Sequence, residues 1–215
     1  MLQWTLYARI APFEEYPLRY ERWFARNRLA YESELEAVKK LLPRAGNGVE
    51  IGVGSGRFAA PLGVRLGIEP SLRMLELARK RGIEVAGGVA ESLPLGDSRL
   101  DFALMVTTIC FLDDIAAAFA EAYRVLRSGG CLLIGFIDKH SPLGRVYQEH
   151  KDESPFYRIA TFYSTDEVVS RLEKAGFKGF DFTQTIFHNL GEITGIEPVR
   201  EGYGEGSFVV VKAVK

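Results

Sequence analysis

Cysteine and histidine are scarce in this chain, with two and three copies in 215 residues. Cys110 and Cys131 each sit in an apolar stretch, with no CxxC and no metal-ligand spacing around them. That argues against a disulfide framework or a structural zinc site, and a reducing cytoplasm is the expected location. Asn and Gln are also few, three of each, which leans faintly toward heat-adapted composition. Neither sign of charge is in excess: 27 Lys and Arg stand against 28 Asp and Glu, for a net charge of −1. A surface that tracks phosphates is normally basic, so no nucleic-acid partner is expected. The best apolar run, 102–112, is too short for a bilayer, and no basic segment precedes an apolar one at the N-terminus. No membrane partner and no signal peptide are therefore expected. Repeats and low-complexity tracts are absent, which leaves one domain of ordinary size.

What is present is organised around one stretch, Gly48-Val49-Glu50-Ile51-Gly52-Val53-Gly54-Ser55-Gly56-Arg57-Phe58. Val49, Ile51 and Val53 suit a buried strand. Three glycines at alternate positions then allow a sharp turn and close approach of a ligand to the backbone. A helix start after such a turn offers free N–H groups to an anionic part of a ligand.

The chain in order reads as helices over 15–28 and 33–42, a strand at 49–53 and a short helix at 58–62. A strand at 64–69, a helix at 71–81 capped by Ser71 and closed by Gly82, and a strand at 83–86 follow. The continuous apolar run 100–106 predicts a strand buried on both faces. Asp113 or Asp114 caps a helix to about 127, Ser128-Gly129-Gly130 ends it, and 131–137 is another buried strand. Residues 138–163 break the rhythm and read as an insertion or lid with one short helix near 143–150. Ser164 and Glu167 form a capping box for a helix to 175. Strands at 177–187 and 208–214, with no helix between them, should pair antiparallel at a sheet edge. The alternation predicts an α/β fold: a Rossmann-like, mostly parallel seven-stranded sheet with an antiparallel last strand and helices on both faces. Residues 1–47 form a helical cap and 48–215 the main domain.

The ligand of the glycine turn can be argued from charge. Gly54 to Ala59 fits GxGxxA, a variant of the dinucleotide fingerprint, and Glu69 at the next strand end could accept both hydroxyls of a ribose. Glu50 discriminates, because a carboxylate beside the turn would repel a pyrophosphate and attract an ammonium or sulfonium. The stretch Glu50-x-Gly52-x-Gly54-x-Gly56 resembles motif I of class I S-adenosylmethionine (AdoMet)-dependent methyltransferases. Gly67-Ile68-Glu69-Pro70-Ser71 with Met74, Ala90-Glu91-Ser92-Leu93-Pro94, Leu100-Asp101-Phe102-Ala103-Leu104 and Arg124-Val125-Leu126-Arg127-Ser128-Gly129-Gly130 resemble the later pieces, in the same order. The resemblance spans about 48–137 and is nearest to the small-molecule, quinone-biosynthesis-type branch.

The resemblance implies AdoMet as cofactor. Glu50, Gly52, Gly54 and Gly56 would hold its methionine part, Glu69 its ribose, and Pro70, Ser71, Met74, Ala90 and Glu91 its adenine. Thr107 would face the methyl group. Val89 stands where such enzymes often carry Asp. The acceptor, a small aromatic, apolar or amine molecule, would meet Tyr16, Tyr20, Trp23, Thr108, Phe111, His140 and Tyr147. Cys110, Tyr157 and Phe162 are further candidates for that wall. His140 is a candidate base, and no set of residues suggests a metal. The alternatives are a non-enzymatic AdoMet-binding module and an NAD(P)-dependent oxidoreductase.

Overall fold

The computed structural model describes residues 9–215. Two short helices, α1 (Ala11–Glu15) and α2 (Pro17–Arg26), lead into a longer one, α3 (Arg28–Leu41). Alternation then begins with β1 (Gly48–Ile51), α4 (Ala59–Leu62), β2 (Leu66–Glu69), α5 (Leu72–Lys80), β3 (Glu84–Gly87), β4 (Leu100–Val106), α6 (Ile115–Val125) and β5 (Leu126–Ile137). The insertion carries α7 (Pro142–Glu149) and α8 (Pro155–Ile159), and α9 (Thr165–Lys174), β6 (Lys178–Thr185), β7 (Arg200–Glu201) and β8 (Phe208–Val214) complete the chain.

The strands form one sheet in the order β3-β2-β1-β4-β5-β8-β6-β7. The first five are parallel, and β8 runs antiparallel between β5 and β6. Eight strands are present rather than seven. The eighth is the two-residue β7, which pairs with β6; both its residues are exposed, so no apolar alternation marks it. β5 also starts earlier than expected. Gly129 and Gly130 exchange backbone hydrogen bonds with Lys215, which draws the expected turn into the sheet.

Alternate residues of the central strands bury against opposite faces. Ala103, Met105, Leu132, Ile134, Val209 and Val211 pack with α6 and α9. Phe102, Leu104, Leu133, Phe208 and Val210 pack with Phe24, Ala37 and Val38 of the N-terminal helices on the other side. With both faces apolar, the strand reads as a continuous run instead of an alternation.

Helix starts follow their caps. Ser71 accepts from the Met74 N–H, Asp114 from those of Ala116 and Ala117, and Ser164 with Glu167 closes a capping box. The order reverses between β1 and β4, and a ligand in such a sheet binds outside the carboxyl ends of the strands at that point.

Candidate active site

A cleft opens at this switch point, with about 700 Å³ of empty space including its mouth. Its floor is the glycine turn. Gly52 and Gly54 have φ of +70° and +53°. A Cβ on Gly52 would lie 2.3 Å from Thr108 Cγ2, and one on Gly54 would lie 3.1 Å from the Tyr20 hydroxyl. Neither position leaves room for a side chain. Gly56 also has positive φ, but its space is taken by Ile83 and Ala78, so it serves helix packing and does not line the cleft.

Glu69 ends β2 and is 6% exposed. Its carboxylate accepts from the N–H groups of Gly54 at 2.9 Å and Ser71 at 3.0 Å, one on each oxygen. That fixes the side chain and leaves lone pairs toward the cleft it lines. Burial raises its pKa to about 7, against the two N–H donors. Glu50 is buried, and its Oε2 has no hydrogen-bond partner. Burial drives its pKa well above the carboxylate range; the Ala59 N–H opposes this and the Glu69 charge adds to it. An orphaned carboxylate oxygen beneath a turn without room for side chains fits a ligand that brings a cation. The same two acids would oppose a pyrophosphate.

Pro70, Val89, Ala90 and Glu91 line the far wall. Glu91 Oε1 accepts from the N–H groups of Asp113 and Asp114, which ties this wall to the loop after β4. Ser71 and Met74 are fully buried in the cap and core of α5 and do not reach the cleft. Thr107, at the end of β4, has φ of +52°, a strained value for a β-branched residue. Its N–H donates to the Gly135 carbonyl at 2.7 Å, which holds it there. The Thr108 hydroxyl donates toward the carbonyls of Val106 and Gly52.

Of the expected acceptor residues, Tyr20, Thr108 and Phe111 line the cleft. Tyr16 is 43% exposed and His140 is exposed, and both lie outside it. Trp23 and Tyr147 do not line the cleft, and Tyr147 stacks on Tyr157 at 4.3 Å. Sequence reasoning missed Arg9, Ile10 and Phe13, which reach the cleft from the N-terminal side. Phe13 stands seven residues before Tyr20, a helical spacing that could have flagged it. Nothing in the sequence flags Arg9, which donates to Thr161 and the Ile159 carbonyl and pairs with Asp113. Among the described residues no His, Cys, Asp and Glu group could hold a metal, and no helix is long and apolar enough to cross a membrane.

Comparison with known proteins agrees with this geometry. The methyltransferase-domain family profile matches residues 49–134. A crystal structure from Thermotoga maritima, described as a SAM-dependent methyltransferase and possible histamine N-methyltransferase, is 55% identical, with a TM-score of 0.94. The match covers 96% of this chain and 99% of that one. An uncharacterized protein of Methanocaldococcus jannaschii is 44% identical over 94% of this chain and 98% of its own length. The mitochondrial 2-methoxy-6-polyprenyl-1,4-benzoquinol methylase of Xenopus laevis is 29% identical over 65% of this chain and 48% of its own length. The chain belongs to the class I S-adenosylmethionine-dependent methyltransferases, and AdoMet is its cofactor.

Proposed function

We propose that this enzyme methylates a small-molecule acceptor, a flat aromatic or amine-bearing compound. The observation that carries the reading is the aromatic wall facing Thr107 and Thr108. Phe13 meets Phe111 edge-on at 4.9 Å, Tyr20 at 5.8 Å and Phe156 at 5.2 Å. Phe13, Tyr20 and Phe111 line the cleft, and Phe156 packs on the first two, which suits the space to a small planar or cationic group. The balanced charge supports no polynucleotide acceptor. The free thiols Cys110 and Cys131 support a reducing, cytoplasmic setting. The description of the Thermotoga relative favours the amine end of this range.

Bound AdoMet supplies a methyl group already activated by its sulfonium. What remains for the chain is placement. Gly52 and Gly54 form the cradle, Glu69 would accept from the ribose hydroxyls, and Glu50 would offset the positive charge. The fixed Thr107 backbone and the rings above it would hold the acceptor in line, and proximity of this kind supplies much of a methyl-transfer rate. The Thr108 hydroxyl is committed to backbone carbonyls, and His140 lies outside the cleft. The reading therefore assigns no general base, and an amine acceptor would lose its proton to water.

The test is thermal unfolding with AdoMet, S-adenosylhomocysteine, NAD and NADP, followed by transfer of labelled methyl to quinols, aryl amines and histamine. At 100 times Kd a ligand adds about 2.7 kcal/mol, roughly 5–11 °C for a domain of this size. Stabilisation by the two adenosyl ligands with transfer to one compound class supports the reading. Tight AdoMet binding without transfer to any acceptor would favour a binding module instead.

A further inference from the structure

The methionine end of AdoMet carries an ammonium and a carboxylate on one carbon, and Glu50 can serve only the first. Its unpartnered, buried oxygen suits the ammonium. A carboxylate brought to the same place meets the charges of Glu50 and Glu69 and needs a donor of its own. A glycine turn ordinarily supplies that donor from its backbone. Here the backbone is spent. The Gly52 and Val53 N–H groups both donate to the Ile68 carbonyl, at 2.8 and 3.1 Å, and the Gly56 N–H donates to the Val53 carbonyl at 2.9 Å. The Gly54 N–H is taken by Glu69 at 2.9 Å. Ser55 is fully buried and does not line the cleft, and its hydroxyl donates to Glu21.

A donor reaches the turn from α2 instead. The Tyr20 hydroxyl lies 3.1 Å from the point where a Cβ on Gly54 would stand, and the three atoms nearest that point all belong to Tyr20. Tyr20 lines the cleft, and among the described residues its hydroxyl makes no hydrogen bond. Its place is fixed from two sides. The ring meets Phe24 edge-on at 5.1 Å and Phe13 at 5.8 Å, with Phe156 tilted against it at 6.1 Å. The next residue, Glu21, is bonded to Ser55, Arg57 and Arg81, which holds α2 against the turn. Burial raises the pKa of the hydroxyl, and the charges of Glu50, Glu69 and Glu21 add to this while Arg57 opposes it. The group therefore keeps its proton and stays a neutral donor.

We infer that the Tyr20 hydroxyl donates to the carboxylate of AdoMet, which makes Tyr20 a cofactor-binding residue whose ring also belongs to the aromatic wall. A neutral donor suits this position. A lysine or arginine here would pair with Glu50 or Glu69 and silence the acid that the ammonium requires. The inference rests on the proposal that Gly52 and Gly54 cradle the methionine end.

The experiment reads binding and contains no acceptor, so its outcome is independent of turnover. Titration calorimetry compares AdoMet with decarboxylated AdoMet, which keeps the adenosine, the sulfonium and the ammonium. Tyr20→Phe removes one oxygen and keeps the packed ring. Y20F should bind AdoMet roughly 10- to 100-fold more weakly than the wild type, the range of a hydrogen bond to a charged group, and decarboxylated AdoMet within twofold. AdoMet binding within twofold of wild type, or an equal loss for both ligands, would overturn the inference. Glu50→Gln reads the cradle separately and should weaken both ligands, which share the ammonium. An E50Q protein that binds both as the wild type does would count against the cradle reading, while a loss in Y20F confined to AdoMet would still place the carboxylate at Tyr20.

Discussion

The Glu21 carboxylate ties the glycine turn to the N-terminal helices, beside the Tyr31 hydroxyl that donates to the Arg57 carbonyl, and removing it should loosen both. Glu21 of α2 accepts from Ser55 Oγ at 2.5 Å, from Arg57 at 2.6 Å and from Arg81 at 2.5 Å. Arg81 also donates to the Ser55 carbonyl at 2.7 Å. Three segments far apart in the chain converge here, with the Glu21 side chain 17% exposed and both arginines under a third exposed. A hydrogen bond to a charged group contributes about 1.5–3 kcal/mol, and three that share one acceptor do not add, so Glu21→Ala should cost roughly 2–4 kcal/mol. At about 2–4 °C per kcal/mol for this size, Tm should fall by roughly 4–16 °C. Because Ser55 and Arg57 belong to the turn proposed to cradle AdoMet, S-adenosylhomocysteine should also bind about tenfold more weakly, and scanning and titration calorimetry read both effects. The pH dependence has a definite sign. Burial raises the Glu21 pKa, but the bonds to Arg57, Ser55 and Arg81 outweigh it and the net shift is downward. A depressed carboxylate stabilises above its unfolded pKa of about 4.3 and loses this as pH falls through the lower folded value. The Tm gap between wild type and variant should therefore hold from pH 6 to 8 and close below about pH 4. A variant with Tm within 2 °C of wild type and unchanged ligand affinity would refute the clamp.

Gly52→Ala places a methyl 2.3 Å from Thr108 at φ of +70° and should weaken S-adenosylhomocysteine at least tenfold by calorimetry. Gly63→Ala, at φ of +72° with nothing within 4 Å, is the control that should cost about 1 kcal/mol of stability and leave the ligand alone. Burial raises the pKa of Glu34 to about 8, of Glu69 to about 7, and of Glu50 well above the usual range. Folded protein then holds more protons than unfolded chain between about pH 4.3 and 8, so ligand-free Tm should fall as pH rises through that window, and E34Q should flatten the slope. With Glu50 and Glu69 holding AdoMet as proposed, binding would favour their ionised forms, so at pH 6 it should release protons, seen as a dependence of calorimetric heat on the buffer's ionisation enthalpy.

The division between what the sequence showed and what it hid follows chain distance. Caps at Ser71, Asp114 and Ser164 act within three residues; Ser71 and Ser164 were legible, and the third was narrowed to Asp113 or Asp114. The glycine turn was legible for the same reason: its strand, its positive φ values and Glu50 lie within a few residues. Ser71 and Met74 show where local pattern misleads, since the positions assigned to adenine by resemblance are spent on a helix cap and a packed core. Glu91 does line the cleft, with one oxygen engaged by the Asp113 and Asp114 N–H groups, 22 and 23 residues away. The acceptor half depends on longer reaches still. Arg9 meets Thr161 across 152 residues, Glu21 meets Arg81 across 60, and Phe13 meets Phe156 in the insertion. A side chain chosen for such a contact carries no periodic signature, because its partner sets the constraint and its neighbours do not. The glycine turn is therefore readable from one stretch, while the aromatic wall of the cleft forms only where α1, α2 and the loop after β4 approach one another.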